Sequence, residues 1–210
     1  MGWDTVAFCE KEKYAKRVLG RHWPKVPVID DIRNITEKIG CDIITGGFPC
    51  QPFSVAGKQK GKADDRYLWP EMLRIIALER PSWVIGENVA GIVGMALDQV
   101  LSDLDREGYS SRPIIIPAVA VDAPHRRDRI WIVANRHDTG RIKQRRPIAA
   151  SPENKATQCI SKWASEPCVG RVADGVPNRV DRIKGLGNAI VPQVAYQILQ
   201  AIAHDNCING

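Results

Sequence analysis

With 210 residues, 44% hydrophobic and 26% charged, the chain can bury one respectable core plus an appendage. No apolar run approaches the ~20 residues that span a bilayer. Met1-Gly2-Trp3-Asp4 lacks the basic-then-apolar layout of a signal peptide, and Val6 breaks the myristoylation pattern, so no membrane association and a cytoplasmic setting are expected. Six cysteines (9, 41, 50, 159, 168, 207) show no C-x-x-C spacing. They read as reduced thiols, with no disulfide frame and no metal site.

The net charge of +6 is unevenly placed. Residues 136–184 hold eleven Lys/Arg against five Asp/Glu, while the rest of the chain balances at nineteen against nineteen. A neutral body with one basic segment fits a polyanion held at a defined face. On charge alone, a solvated basic loop fits as well.

In chain order, Val6–Cys9 is predicted as a short buried strand, followed by a charged helix from about Glu10 to His22 and a second strand over Val26–Ile29. Cys41–Thr45 is the third strand, ending in Gly46-Gly47 and a Pro49-Cys50 turn. Residues 52–66 are polar and read as a long loop, of the kind that usually carries function. A helix over about Leu68–Leu78 leads through Pro81 to the strand Trp83–Gly86, and a second helix spans about Gly94–Glu107. Strands are predicted at Ile114–Val121 and Arg129–Val133, and a closing helix over Ala189–Ala203. The alternation indicates an α/β domain with a mostly parallel sheet.

Cys50 follows a proline in a turn after a buried strand, at the carboxyl edge where such sheets place their sites. A thiolate there suits nucleophilic catalysis: adding to C6 of a cytosine makes C5 reactive towards an electrophilic methyl group. Glu87 closes the next strand and would face the same crevice, placed to bind a cytosine's N3 and amino group and to share a proton with N3. Arg127 and Arg129 alternate before a strand and point to one face, with forks suited to a cytosine O2 and nearby phosphates. Taken singly, each has a plainer reading: a structural cysteine, a satisfied edge carboxylate, an exposed basic turn.

In combination the motifs resemble the DNA cytosine-5 methyltransferase family. The resemblance rests on Gly47-Phe48-Pro49-Cys50-Gln51 with Phe53-Ser54 and Gly57-Lys58-Gln59-Lys60-Gly61, and on Asp65-Arg66 and Glu87-Asn88-Val89. It continues through Arg127-Asp128-Arg129 and Gly187-Asn188-Ala189-Ile190-Val191-Pro192, in order and outside roughly 137–170. It implies a Rossmann-like α/β catalytic domain, S-adenosylmethionine as methyl donor, and a target base flipped from duplex DNA. Cys50 would attack C6, Glu87 would hold N3 and the amino group, and Arg127 and Arg129 would support the flipped nucleotide, Arg129 aimed at O2. The loop after Cys50 would close over the base, with Gln51 or Ser54 filling the vacated space.

For the donor, Glu10 ends the first strand where an acidic residue grips ribose hydroxyls, and the family places a glutamate there too. Asp31 and Ile32 match the adenine-contacting position, and Pro49, Trp69 and Asn188 match positions lining the methionine side or the ring. The implied layout is a catalytic domain over 1–136, a short basic target-recognition region of phage type over 137–176, and a return segment with closing helix over 177–210. A monomer is expected, with a cognate restriction endonuclease as a candidate partner.

Two departures stand out. His125 replaces a common glutamine. The family's Phe-x-Gly-x-Gly-Gly loop and the strand before it have no counterpart, so the expectation is a truncated or misannotated reading frame, or one piece of a split protein. Loss of a central strand would leave its two neighbours with unpaired backbone groups, at about 1–3 kcal/mol for each one buried. An impaired DNA-binding fragment is therefore the alternative function.

Overall fold

The computed structural model describes residues 3–49, 67–137 and 187–209. Two sheets organise these residues. Strand β1 (Phe8–Cys9) pairs in parallel with β2 (Val28–Ile29) across helix α1 (Lys13–His22). The larger sheet runs β3-β4-β6-β5, from β3 (Ile43–Gly47), β4 (Trp83–Val89), β5 (Tyr109–Ile116) and β6 (Arg129–Arg136). β3 and β4 are parallel, while β6 runs antiparallel to both β4 and β5. The reversal of β6 positions the site, because it sets the start of β6 beside the end of β4, with Arg129 opposite Val89.

Helices cover both faces. On one, α2 (Trp69–Glu79) and α3 (Leu97–Arg106) bury Phe48, Trp69, Ile76, Val100, Leu104 and Ile132 in one cluster. On the other, α4 (Pro192–Asn209) sets Val191, Val194, Ile198 and Ile202 against Trp83, Ile85 and Trp131. α4 begins three residues later than predicted, at a proline whose fixed φ and missing N–H suit a first helical turn. α2 stops where Arg80 turns left-handed (φ 55°) ahead of Pro81.

The predicted strand over 114–121 is corrected. β5 spans Tyr109–Ile116, and Ala118–Val121 forms a 3-10 turn. Ser110-Ser111-Arg112-Pro113 reads poorly as strand, but β5 is the edge of its sheet, where a missing proline N–H costs little. β3 and β4 also run further than predicted, so Gly46, Gly47 and Glu87 lie within strands.

Among the described residues β1 pairs only with β2, and β3 only with β4. No side chain of helix α1 is fully buried. Two ties fasten the N-terminal segment to the body. Arg74 of α2 donates from Nη1 to the Ile35 carbonyl (2.6 Å) and from Nη2 to that of Ile32 (2.9 Å). The buried Glu79 accepts from the backbone N–H groups of Ile39 (2.5 Å) and Gly40 (2.9 Å). Charged hydrogen bonds of this kind contribute about 1.5–3 kcal/mol each. Among the described residues Cys9 and Cys41 are free thiols, and no helix is long and apolar enough to cross a membrane.

Candidate active site

β3 delivers Gly46-Gly47-Phe48-Pro49 to the carboxyl edge of the sheet. Phe48 is anchored by packing on Trp69, ring centroids 5.1 Å apart, and by a buried amide: Asn88 Nδ2 donates to the Phe48 carbonyl at 2.8 Å. The Asn88 oxygen in turn accepts from the Val89 N–H at 2.9 Å. Both ends of this side chain, itself only 5% exposed, are therefore satisfied, and its amide nitrogen fixes the backbone two residues before Cys50. Cys50 itself, Gln51 and Ser54, and the recognition region beyond His137, lie outside the described residues.

Glu87 sits opposite Gly47 in the parallel register. A Cβ built on Gly47 would lie 3.6 Å from Glu87 Oε2, so the glycine leaves the space over the carboxylate open. On the other flank, Arg129 Nε pairs with Glu87 Oε1 at 3.1 Å, with the side chains 20% and 16% exposed. Burial holds the Glu87 carboxyl above the usual carboxylate range, more than Arg129 and Arg127 pull it back. The result is a shielded acid that takes up a proton more readily than an exposed glutamate, with an arginine fork beside it.

Arg127 takes a different course. Its Nη2 donates to the carbonyls of Gly187 (2.8 Å) and Ala189 (2.5 Å), on the segment leading into α4. Its backbone lies in the left-handed region (φ 39°), unusual for a residue with a side chain and costing about 1–2 kcal/mol. Arg127, Arg129 and Trp131 line one wall of a shallow cleft between β6 and α4, with Val191 and Val194 opposite. The buried indole N–H of Trp131 has no acceptor among the described residues.

The donor-side candidates are spread more widely. Glu10 follows β1 and Asp31 lies two residues past β2, so both carboxylates stand at the carboxyl ends of adjacent parallel strands. Glu10 Oε1 accepts from the Glu12 N–H at 2.7 Å. The Arg33 backbone N–H, with help from Lys11, holds the Asp31 carboxyl below its ordinary range, so it stays ionised. Ile32 packs partly buried against the core. Trp69 is only 2% exposed and gives its indole N–H to Asp103 at 2.9 Å, which makes it a buried wall beneath Phe48. Pro49 is half-buried, and Asn188 is exposed, between the two carbonyls that Arg127 holds.

The structure thus brings Glu87, Arg129 and Arg127 to one edge. The residue that sequence reasoning passed over is Asn88. Its signal was present in Glu87-Asn88-Val89, but a buried amide that holds the carbonyl of a neighbouring strand's end looks like any strand asparagine until Phe48 is placed beside it.

Comparison with known proteins gives the family and the fold. Residues 1–175 match the family described as C-5 cytosine-specific DNA methylase. The chain is 39% identical over 147 residues to the Type II methyltransferase M.PspPI of Psychrobacter sp. (strain TA137), covering 65% of this chain and 35% of the relative. It is 34% identical over 143 residues to M2.BsuMI of Bacillus subtilis (strain 168), covering 64% and 37%. To M.HhaI of Haemophilus parahaemolyticus it is 33% identical over 144 residues, covering 65% and 44%. The chain therefore spans less than half the length of these curated relatives. Among solved structures, a DNMT2 variant of Spodoptera frugiperda aligns with a TM-score of 0.57 at 22% identity, over 70% of this chain and 46% of that one, a likeness of fold.

Proposed function

The chain belongs to the C-5 cytosine-specific DNA methylases, and on that premise we propose that it transfers a methyl group from S-adenosylmethionine to C5 of a cytosine flipped out of duplex DNA. The observation that carries this reading is the Glu87–Arg129 pair, 3.1 Å apart and shielded, at the edge to which β3 brings Phe48 and Pro49, the residues that precede Cys50 in sequence.

Cys50 adds as a thiolate to C6 of the flipped base, and N3 draws on the proton shared with Glu87. Arg129 keeps the Glu87 side chain oriented and offers its remaining N–H groups to O2. After C5 has taken the methyl group, loss of the C5 proton expels the thiolate and restores the ring. Gly47 keeps the approach to Glu87 free of a side chain.

The donor set fits the nucleoside part of S-adenosylmethionine. Glu10 and the ionised Asp31 supply acceptors for hydroxyl and amino groups, Ile32 supplies an apolar face, and Pro49, Trp69 and Asn188 border the methionine side or the ring. When bound, the donor supplies an electrophilic methyl group at a sulfonium centre. The basic 137–176 region grips phosphates and reads the bases, and 177–210 returns the chain to the catalytic domain. A monomer working in a bacterial cytoplasm, with a cognate endonuclease as candidate partner, completes the reading.

One observation favours a second reading, a DNA-binding chain with an impaired donor seat. β1 and β3 each have a single strand neighbour among the described residues, and no side chain of α1 is fully buried. Incubating the chain with unmethylated duplex DNA and S-adenosylmethionine, then analysing nucleosides by mass spectrometry, separates the two. We expect 5-methylcytosine. DNA binding without any product supports the second reading, while N4-methylcytosine, or methylation of RNA alone, overturns the first.

A further inference from the structure

We propose that Arg127 is a positioning residue that clamps the segment 187–190 to the head of β6, and that it acts through that segment without contacting the flipped nucleotide. The inference deepens the methyl-transfer reading above and rests on it for the role of Asn188.

Residues 187–190 are all exposed, and burial resumes only at Val191. Packing therefore holds α4 but not the stretch that leads into it. Two carbonyls from that stretch, Gly187 and Ala189, converge on one nitrogen of Arg127, some sixty residues away in sequence. Among the described residues Arg127 meets no carboxylate within ion-pair distance, whereas Arg129 is paired with Glu87 and Arg126 with Asp128. The side chain enters the cleft from a left-handed backbone, a conformation kept at a non-glycine residue when its surroundings require it. The two alternating arginines thus divide the work: Arg129 faces the acid, and Arg127 holds the closing segment and with it Asn188.

The test uses the full chain with Arg127→Ala, Arg127→Gly and Arg127→Lys. The glycine variant relaxes the left-handed backbone, so it reports loss of the guanidinium without added strain. Hydrogen exchange is measured in the free protein, and DNA affinity is measured as a function of salt. We expect the amides of 189–191 and 193–195 to exchange roughly tenfold faster in the Ala and Gly variants, from loss of two charged hydrogen bonds, with β4 and β6 unchanged. The slope of log affinity against log salt should stay at its wild-type value, and S-adenosylmethionine affinity should fall in step with the lost protection. The Lys variant, shorter than arginine, should recover only part of the protection.

Unchanged exchange with a salt slope reduced by about one would mark a direct phosphate contact and overturn the proposal. So would faster exchange spread evenly over β4 and β6. Because the exchange measurement needs neither DNA nor donor, it stands even if no methyl transfer is found.

Discussion

Glu87→Gln is expected to slow methyl transfer by about 10²–10⁴-fold while making the fold more heat-resistant at pH 8. The two effects share one cause. Burial disfavours the charged carboxylate more than Arg129 and Arg127 favour it, so the folded-state pKa is raised. A group with a raised pKa contributes stability that is fully present below its unfolded value, near 4.5, and lost as pH rises through the folded one. Glutamine imitates the protonated acid in shape and carries no charge, so it keeps that contribution at every pH. Melting temperatures of variant and wild type should converge below about pH 4.5 and separate above it, the variant higher. A variant less stable than wild type at pH 8 would show that the ion pair outweighs burial. The loss of rate follows because an amide N–H can donate a hydrogen bond to N3 but is too weak an acid to transfer its proton there.

Cys50→Ala is expected to reduce transfer to background, a loss on the order of 10³-fold or more for a removed nucleophile. Binding to duplex DNA should persist with its salt dependence, since phosphate contacts and not the thiol supply that affinity. Full activity in this variant would move the nucleophile elsewhere. Weak DNA binding would instead make the cysteine part of the loop's structure.

Much of the architecture was legible because hydrophobic runs and turn residues were unambiguous. Ile43-Ile44-Thr45 is β-branched enough to declare a strand, although that strand carries on through both glycines, and Trp83–Gly86 is apolar enough to declare itself. The errors fell where tertiary context decides. β5 begins with Ser, Arg and Pro, residues that an edge strand accepts and a central strand refuses. Glu87 was expected at the end of its strand and instead sits inside it, because the antiparallel β6 extends the pairing to Val89. The antiparallel direction of β6 is itself a long-range outcome that no local pattern records.

The site was legible in kind more than in geometry. Motif order alone points to Glu87, Arg127 and Arg129 as neighbours. That Arg129 and not Arg127 meets the acid depends on a left-handed residue and on a segment sixty positions downstream. Trp69 shows the opposite limit: a tryptophan at a donor-lining position is buried, with its N–H committed to Asp103.

The central claim is that Cys50 forms a covalent bond to C6 beside Glu87 and Arg129. Its most direct test is trapping on a duplex whose target cytosines are replaced by 5-fluorocytosine, with S-adenosylmethionine present. The fluorine cannot leave as a proton does, so the thiolate cannot be expelled. The account predicts a protein–DNA adduct that survives denaturation, with the modified nucleotide mapped to the peptide containing Cys50 and absent from Cys50→Ala. An adduct retained in Cys50→Ala, or mapped to another residue, would contradict it.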